Sequence, residues 1–467
     1  MSSLLESMDN APMNPLHRRL AWSAGLGIFL DGYDLVIIGS VLLLLTPQWH
    51  INTYEMGYLG SAALAGAFVG ALAGGHIADR FGRKAIYLID LMTFFVAAIL
   101  CAAAWNITAL IIFRFILGMG IGADYPISAT YMAEFMPKHK RGGVITWTFG
   151  LWTGGAIFAG IVGFTLVHWG PWAWRLMFLV GALPALLVVW MRRKLPESPR
   201  WYLRRGETQK AVQVLRQVDP TISDGEMAEI LRQQAQAIAT PRAPVWTLFS
   251  RRFLRSTLFV CIPWFIMDLV GYYVTIYTPQ ILGHLGFHGS SSKILGQMIL
   301  STSFLVGYIP LALYIDKIGR IVPQIIGFVG GGIGLAIVGF TALHVPMRAV
   351  LHNGIVHEIP VFGAGAIMII FAGMLISQIL NSFGPGNTTY VLASEVYPTD
   401  VRATGHGFAT AFSRLGAVAS TFFLPPIAHW IGTPMLMLYL AAGSVMGGVF
   451  TWLFRVDTTN KALVQEA

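Results

Sequence analysis

Charge is what this chain most lacks. Only 11% of its 467 residues are Asp, Glu, Lys or Arg, against about a quarter in soluble domains. Cysteine is nearly absent as well. Cys101 and Cys261 are the only two, and each sits in an apolar run, so no disulfide framework holds the fold. No P-loop, no H-E-x-x-H and no nucleophile elbow stands where it would support an enzyme, and the histidines show no metal-ligand spacing. Neither an enzyme nor a bound cofactor or metal is expected. The first apolar run lacks a short h-region followed by a small-residue cleavage site, so it is expected to remain as a helix.

Apolar length is abundant. The chain is 55% hydrophobic, with a mean hydropathy of +0.64. Runs long enough to cross a hydrocarbon core, about 20 residues each, recur near 21–45, 54–78, 85–104, 107–132, 143–168 and 173–194, then near 253–284, 292–315, 322–344, 361–384, 403–429 and 432–455. This predicts an all-α membrane protein of twelve transmembrane helices. The formal charge of +9 reports topology rather than a nucleic-acid partner. All but five of the 31 Lys and Arg fall in the termini and in alternate loops on one side. The exceptions are Arg175, Lys293 and Arg348 on the other side, and Arg114 and Arg414 inside spans. That bias places both termini in the cytoplasm.

Two motif pairs divide the chain in half. GHIADRFGRK (75–84) and YIDKIGRI (314–321) share D-x-x-G-R, while EFMPKHKRG (134–142) and EVYPTDVRATG (395–405) share E-x-x-P-x-x-x-R. A repeated six-helix block follows. The expected organisation is an N-terminal half (1–194), a cytoplasmic linker (195–252), and a C-terminal half with a short tail (253–467). A substrate site near the midplane between pseudo-symmetric halves is the transporter arrangement this implies. Basic, turn-rich loops alone explain one such motif but poorly explain two matched pairs. Asp79, Arg83, Glu134, Arg141, Asp316, Arg320, Glu395 and Arg402 are therefore read as gating residues, with Asp79 and Asp316 suited to cap helix starts and Arg83 and Arg320 to reach helix ends.

The motifs resemble the major facilitator superfamily over essentially the whole chain. GHIADRFGRK is similar to its loop 2–3 signature, and PESPRWYLRRG (196–206) resembles the segment after the sixth helix of sugar-porter and related metabolite branches. GMGIGADYPISATYMAEF (118–135) resembles the fourth helix of phosphate:proton symporters. WFIMDLVGYY (264–273) carries Trp264, Asp268 and Tyr272 at those symporters' spacing, and FGPGNTTY (383–390) resembles their tenth helix. The resemblance implies proton-driven import of a small anion, phosphate or an organic acid. Three departures stand out: Trp152 replaces a glutamine, Arg414 replaces a lysine, and FGPGN moves the asparagine to Asn387. A neutral sugar, polyol or aromatic metabolite is the alternative substrate class.

Charges inside the membrane narrow the site. IFLDGYDLVII (28–38) sets Asp31 and Asp34 at i and i+3, on one helix face. An intramembrane carboxylate must be compensated, protonated or used. Local capping is the structural alternative for both. Asp34 matches the acidic residue of the sugar porters' F-G-Y-D motif, which implies that it carries the proton. Arg114 needs an anion or a wet cavity; on the residues alone it is equally a snorkelling side chain, whereas the resemblance pairs it with Asp34. Asp124 precedes Tyr125 and Pro126, where a helix can bend. The resembling symporters use that acid in proton transfer and the tyrosine on the anion. Trp264, Asp268 and Tyr272 lie along one stripe, which packing explains except for the carboxylate. Arg414 has the planar fork that grips phosphate or carboxylate. Asp90 is left to a pairing with the basic loop before it. The proton-coupling set is thus Asp31, Asp34, Asp124 and Arg114, and the substrate set Tyr125, Trp152, Trp264, Asp268, Tyr272, Asn387 and Arg414. The partners are a small molecule, protons and the bilayer. A monomer is expected to suffice, and short loops and tails suit a bacterial inner membrane.

Overall fold

A computed structural model describes residues 13–136, 138–218, 244–352 and 355–456, with 222, 225 and 227 between them. The first six spans are single helices: α1 (Pro15–Trp49), α2 (Thr53–Phe81), α3 (Arg83–Ala103), α4 (Ile107–Phe135), α5 (Lys138–Leu166) and α6 (Ala173–Arg192). The linker holds α7 (Pro199–Arg204), α8 (Thr208–Val218) and a 3₁₀ turn, Val245–Phe249. The second half contains α9 (Leu254–Ile276), α10 (Thr278–His284), α11 (Ser290–Ile318), α12 (Ile321–Leu343), α13 (Ala364–Phe383), α14 (Pro385–Glu395), α15 (Thr399–Ile431) and α16 (Thr433–Phe454). Eleven helices are long and apolar enough to cross a membrane, and Gly150–Leu166 within α5 adds a shorter apolar segment. The twelve-span, two-half architecture is the one expected.

Three local features depart from the sequence reading. The seventh span is two helices, because Tyr277 separates α9 from α10. The tenth is also two, interrupted at Gly384, whose φ −122° and ψ −111° leave the helical region just before Pro385. Asn387 lies in the first turn after that break. Finally, the loop between spans nine and ten folds into an antiparallel hairpin, β1 (Met347–His352) with β2 (Ile355–Pro360), in register from Met347 opposite Pro360 to His352 opposite Ile355.

The glycines of the repeated loop motif have a backbone reason. Gly82 before α3 has φ 103° and Gly319 before α12 has φ 77°, a region that a side chain makes costly. Both halves thus need glycine to turn one span into the next. The small-residue run of α2 also packs as expected. A Cβ at Gly66 or Gly70 would collide with the backbone of Phe115 or Met119 on α4, and one at Gly118 or Gly122 with that of Ala63 or Ala67 on α2. Close backbone approach of this kind replaces the hydrophobic driving force that lipid does not supply.

Contacts group the chain into two compact units: Met1–Asp34, Ala62–Gly155 and Arg175–Arg242; and Leu35–Ser61, Ala156–Trp174 and Ala243–Ala467. In the first, α8 is amphipathic and buries Ala211, Val214, Leu215 and Val218 against Leu20, Phe135 and Leu195. The linker therefore docks its helix rather than running free. In the second unit, the ends of α1 and α2 farther from the N-terminus are bonded to the C-terminal helices. Tyr277 Oη shares its proton between the carbonyls of Met56 (3.0 Å) and Thr421 (2.9 Å). Gln297 Nε2 donates to Val36 O at 3.2 Å and Gln280 Nε2 to Gly39 O at 3.1 Å. These bonds hold the α1 and α2 segments of this unit to its other helices.

Candidate functional site

Three sets of buried polar side chains stand out, two in the first unit and one in the second. In the first unit, Asp34 lies on α1 at 2% exposure and meets Arg114 of α4, which is fully buried. Nη1 and Nη2 of the guanidinium donate to Oδ1 and Oδ2 at 3.2 and 3.1 Å, a bidentate pair. Phe178 of α6 covers it, with its ring centre 5.9 Å from the guanidinium carbon. The helices come together because Gly32 and Gly155 admit the facing backbones of Trp152 and Phe29. Arg114 is thus an interior ion-pair partner, not a snorkelling residue. Asp31, one turn earlier, is also buried and has a polar partner of its own.

Asp124 does not join that pair. It meets Arg192 at the end of α6, Nη1 to Oδ1 at 2.8 Å. The same nitrogen lies 3.3 Å from Asp90 Oδ1 on α3 and 2.9 Å from the Tyr87 carbonyl. Ser23 of α1 accepts at Oγ (3.3 Å) and at its carbonyl (3.4 Å), and the Tyr87 ring centre lies 3.3 Å from the guanidinium carbon. Ser128 donates toward Asp124 at 3.2 Å and lies 2.9 Å from Tyr87 Oη. This corrects the reading of Asp90, which pairs with Arg192 rather than with the basic loop before it. Arg192, counted as one of a basic run at the membrane edge, is buried entirely. Its signal was periodic: Ala185, Val188, Val189 and Arg192 share the buried face of α6.

In the second unit, Asp268 of α9 is 2% exposed, with Ser413 and Arg414 of α15 beside it. Arg414 is half-buried and hydrogen-bonds the Tyr272 hydroxyl, with the guanidinium carbon 5.7 Å from that ring's centre. Two turns back along α9, Trp264 lies edge-on to Tyr390 and His406, each 6.0 Å between ring centres, and those two are 4.8 Å apart. Tyr390 and His406 were not singled out in the sequence. Asn387 donates to Ser382 O at 2.7 Å, so its amide serves backbone opened by the break at Gly384. The Trp152 side chain is half-buried, and its backbone is what meets α1. The Tyr125 side chain lies outside the described residues.

Of the gating residues, Arg320 and Glu395 are brought together: Nη2 to Oε1 at 2.9 Å, with Nε at 3.1 and 3.3 Å from the two oxygens. Arg320 also reaches the end of α11 through Ile315 O, 3.3 Å away. Arg83 is buried, and its N–H and that of Lys84 donate to Glu197 at 3.0 and 2.9 Å. Glu197 therefore caps the start of α3 from the PESPR segment, and burial still holds its carboxyl above the ordinary range despite three N–H donors. The side chains of Asp79, Glu134, Arg141, Asp316 and Arg402 lie outside the described residues.

Residues 20–466 match the family described as sugar (and other) transporter. A putative metabolite transport protein, YaaU of Escherichia coli, is 32% identical over 98% of this chain and 96% of its own. The niacin transporter NiaP of Acinetobacter baylyi is 29% identical over 89% and 88%, and the probable inorganic phosphate transporter 1-9 of Arabidopsis thaliana 28% over 99% and 94%. The partially occluded, inward-open xylose transporter XylE of E. coli superposes with a TM-score of 0.77, covering 96% of this chain and all of that one at 22% identity. The buried charge pairs thus sit in the fold of a multi-pass membrane transporter, not of an enzyme, and the chain belongs to the sugar (and other) transporter family of the major facilitator superfamily.

Proposed function

We propose that the protein is a proton-coupled symporter that imports a small anion, an organic acid or inorganic phosphate, by alternating access. The contrast between its two intramembrane arginines carries this reading. Arg114 is fully buried and committed through both terminal nitrogens to the two oxygens of Asp34. Arg414 is only half-buried, beside Asp268 and bonded to the Tyr272 hydroxyl, and its fork suits a carboxylate or phosphate. Asp268 beside it accepts a hydroxyl or a protonated acid group. The names of the niacin and phosphate relatives, both anion carriers, support the same class. The Trp264–Tyr390–His406 cluster favours a flat ring, so a neutral aromatic metabolite or sugar is the second reading.

Asp34 takes the proton. Neutralising it releases Arg114 and loosens α1 from α4, while Asp31 and Asp124 carry further steps. Tyr125, Trp152, Trp264, Asp268, Tyr272, Asn387 and Arg414 line the path of the substrate. The end around Tyr277 faces outward, both termini face the cytoplasm of a bacterial inner membrane, and one chain suffices. Arg83, Glu134, Arg141, Arg320, Glu395, Arg402, Asp79 and Asp316 hold the inner gate, and the halves 1–194 and 253–467 rock about the 195–252 linker.

Binding tests this directly. Purified protein is titrated with phosphate, aliphatic carboxylates, aromatic carboxylates such as nicotinate, and neutral sugars, with ligand-induced thermal stabilisation as the readout. An anion should stabilise the wild type, Arg414→Gln should weaken it at least tenfold, worth about 1.4 kcal/mol, and Arg414→Lys should lose less. Stabilisation by a neutral sugar alone, unaffected by Arg414→Gln, overturns the anion reading.

A further inference from the structure

Three ionisable side chains meet at one point inside the first unit: Asp90, Asp124 and Arg192, exposed by 3%, 6% and 0%. A guanidinium stays protonated in a protein. With both acids ionised the cluster therefore carries a net charge of −1, and a buried uncompensated charge is strongly disfavoured. Asp34 with Arg114 is different, because one acid and one base already sum to zero. The geometry shows where one extra proton fits. Both carboxyls meet the same Arg192 nitrogen, at 2.8 Å for Asp124 and 3.3 Å for Asp90. Asp90 Oδ2 is buried with no donor among the described residues, whereas Asp124 has both Arg192 at 2.8 Å and the Ser128 hydroxyl. A proton on Asp90 turns that unpartnered acceptor into an O–H donor and removes the excess negative charge.

We propose that Asp90 and Asp124, held by Arg192, form a second proton-binding site in which one proton is shared between the two carboxyls. Arg192 is its positioning residue. Its nitrogens tie α6 to both acids, to Ser23 on α1 and to the backbone of α3. Gly27 on α1 is part of the design, because a Cβ there would collide with both Asp124 and Arg192. A cavity of about 10 Å³, lined by Gly27, Leu30, Leu91, Phe94, Gly120, Ile121 and Asp124, adjoins the acid. That is room for about one water, and the proton passes between this water and the carboxyl pair. The binding step is simple in balance: a proton leaves water, an O–H bond forms on one carboxyl, and Arg192 keeps its own protons throughout.

The groups facing the pair are few. Arg192 comes from α6, Tyr87 from α3, Ser128 from α4 and the Ser23 hydroxyl from α1. Asp31, one turn beyond Gly27 on α1, is the next acid and has its own partner. Asp34 is committed to Arg114. The proton site is built on the proton-coupled reading above but is tested apart from it.

The direct measurement is the infrared C=O stretch of protonated carboxyls in the solubilised protein, followed through a pH titration. The wild type should show a buried carboxyl band that titrates. Asp90→Asn makes the cluster neutral without a proton, so this band should vanish from its wild-type range and reappear only at a lower pH, because the like charge that held the proton is gone while Arg192 remains. Arg192→Gln removes the cation, so the band should persist to a higher pH. Arg192→Lys keeps the charge and should leave the titration near that of the wild type. Asp34→Asn should not move it. Where Arg192→Gln does not fold, the opposed behaviour of Asp90→Asn and Arg192→Lys decides alone. If the only titrating band is one that Asp34→Asn removes, or if the band that survives Asp34→Asn is left unmoved by Asp90→Asn, the shared-proton site is overturned. Proteoliposomes separate the two claims: substrate uptake indifferent to a proton gradient, with the band intact, sinks the symport reading and leaves the site standing.

Discussion

Replacing Asp34 by Asn removes half of an ion pair whose partner cannot escape. Arg114 is fully buried, and its Nε already lacks a hydrogen-bond partner among the described residues. At the observed 3.1 Å, and with an effective dielectric near 20, the direct attraction is about 5 kcal/mol. Desolvation of both charges offsets much of it in the intact protein. In the single variant, however, the guanidinium remains buried with no counter-charge, and losses of about 3–5 kcal/mol are the norm for such changes. The double variant Asp34→Asn/Arg114→Gln leaves two neutral amides and should recover most of that loss. Denaturant unfolding of the purified protein in detergent, run as a double-mutant cycle, should yield a coupling of about 3 kcal/mol. Asp34→Asn within about 0.5 kcal/mol of wild type, with no coupling to Arg114, would refute the claim that this pair is an interior contact that must open for Asp34 to change charge.

Two more expectations follow from particular contacts. Gly155→Val places a side chain against the Phe29 carbonyl and the Tyr33 amide, so it should push α5 from α1, halve the folded yield or worse, and abolish transport; normal expression with normal uptake would contradict the packing described. Glu197→Gln keeps the shape but weakens the acceptor for the Arg83 and Lys84 amides, with a loss of about 1–2 kcal/mol for charge-assisted bonds. Faster proteolysis between α6 and α8 at unchanged substrate affinity is the expected sign, and unchanged cleavage would count against the cap.

How much of this could be read from the residues alone depended on which physical signal each feature left. Apolar length gave the spans, because lipid imposes it on each helix separately. The paired loops were legible because Gly82 and Gly319 need the same left-handed backbone in both halves. Asp34 with Arg114 was legible only through resemblance, since their sequence separation carries no spacing rule. Arg192 was hidden by its neighbours: in VVWMRRK, Arg193 and Lys194 follow it at the span end, so a count of positive charges absorbed it. The burial of Ala185, Val188 and Val189 on its face marks it as interior. Asp90 was misplaced for the matching reason, its partner lying in a helix 102 residues away. The breaks at Tyr277 and Gly384 were passed over because hydropathy averages across them, although Pro279 and Pro385 at the starts of the following helices marked both. Asn387 was read as a ligand from its motif, and the bond from its amide to Ser382 O beside the second break carried no sequence signal.

The most direct measurement is uptake of a radiolabelled small anion, beginning with nicotinate and phosphate, into proteoliposomes with and without an inward proton gradient. Accumulation above the external concentration only when the gradient is present, lost in Asp34→Asn while exchange across equal concentrations persists, is the predicted result. Uptake that never exceeds equilibration and ignores the gradient would contradict proton-coupled symport.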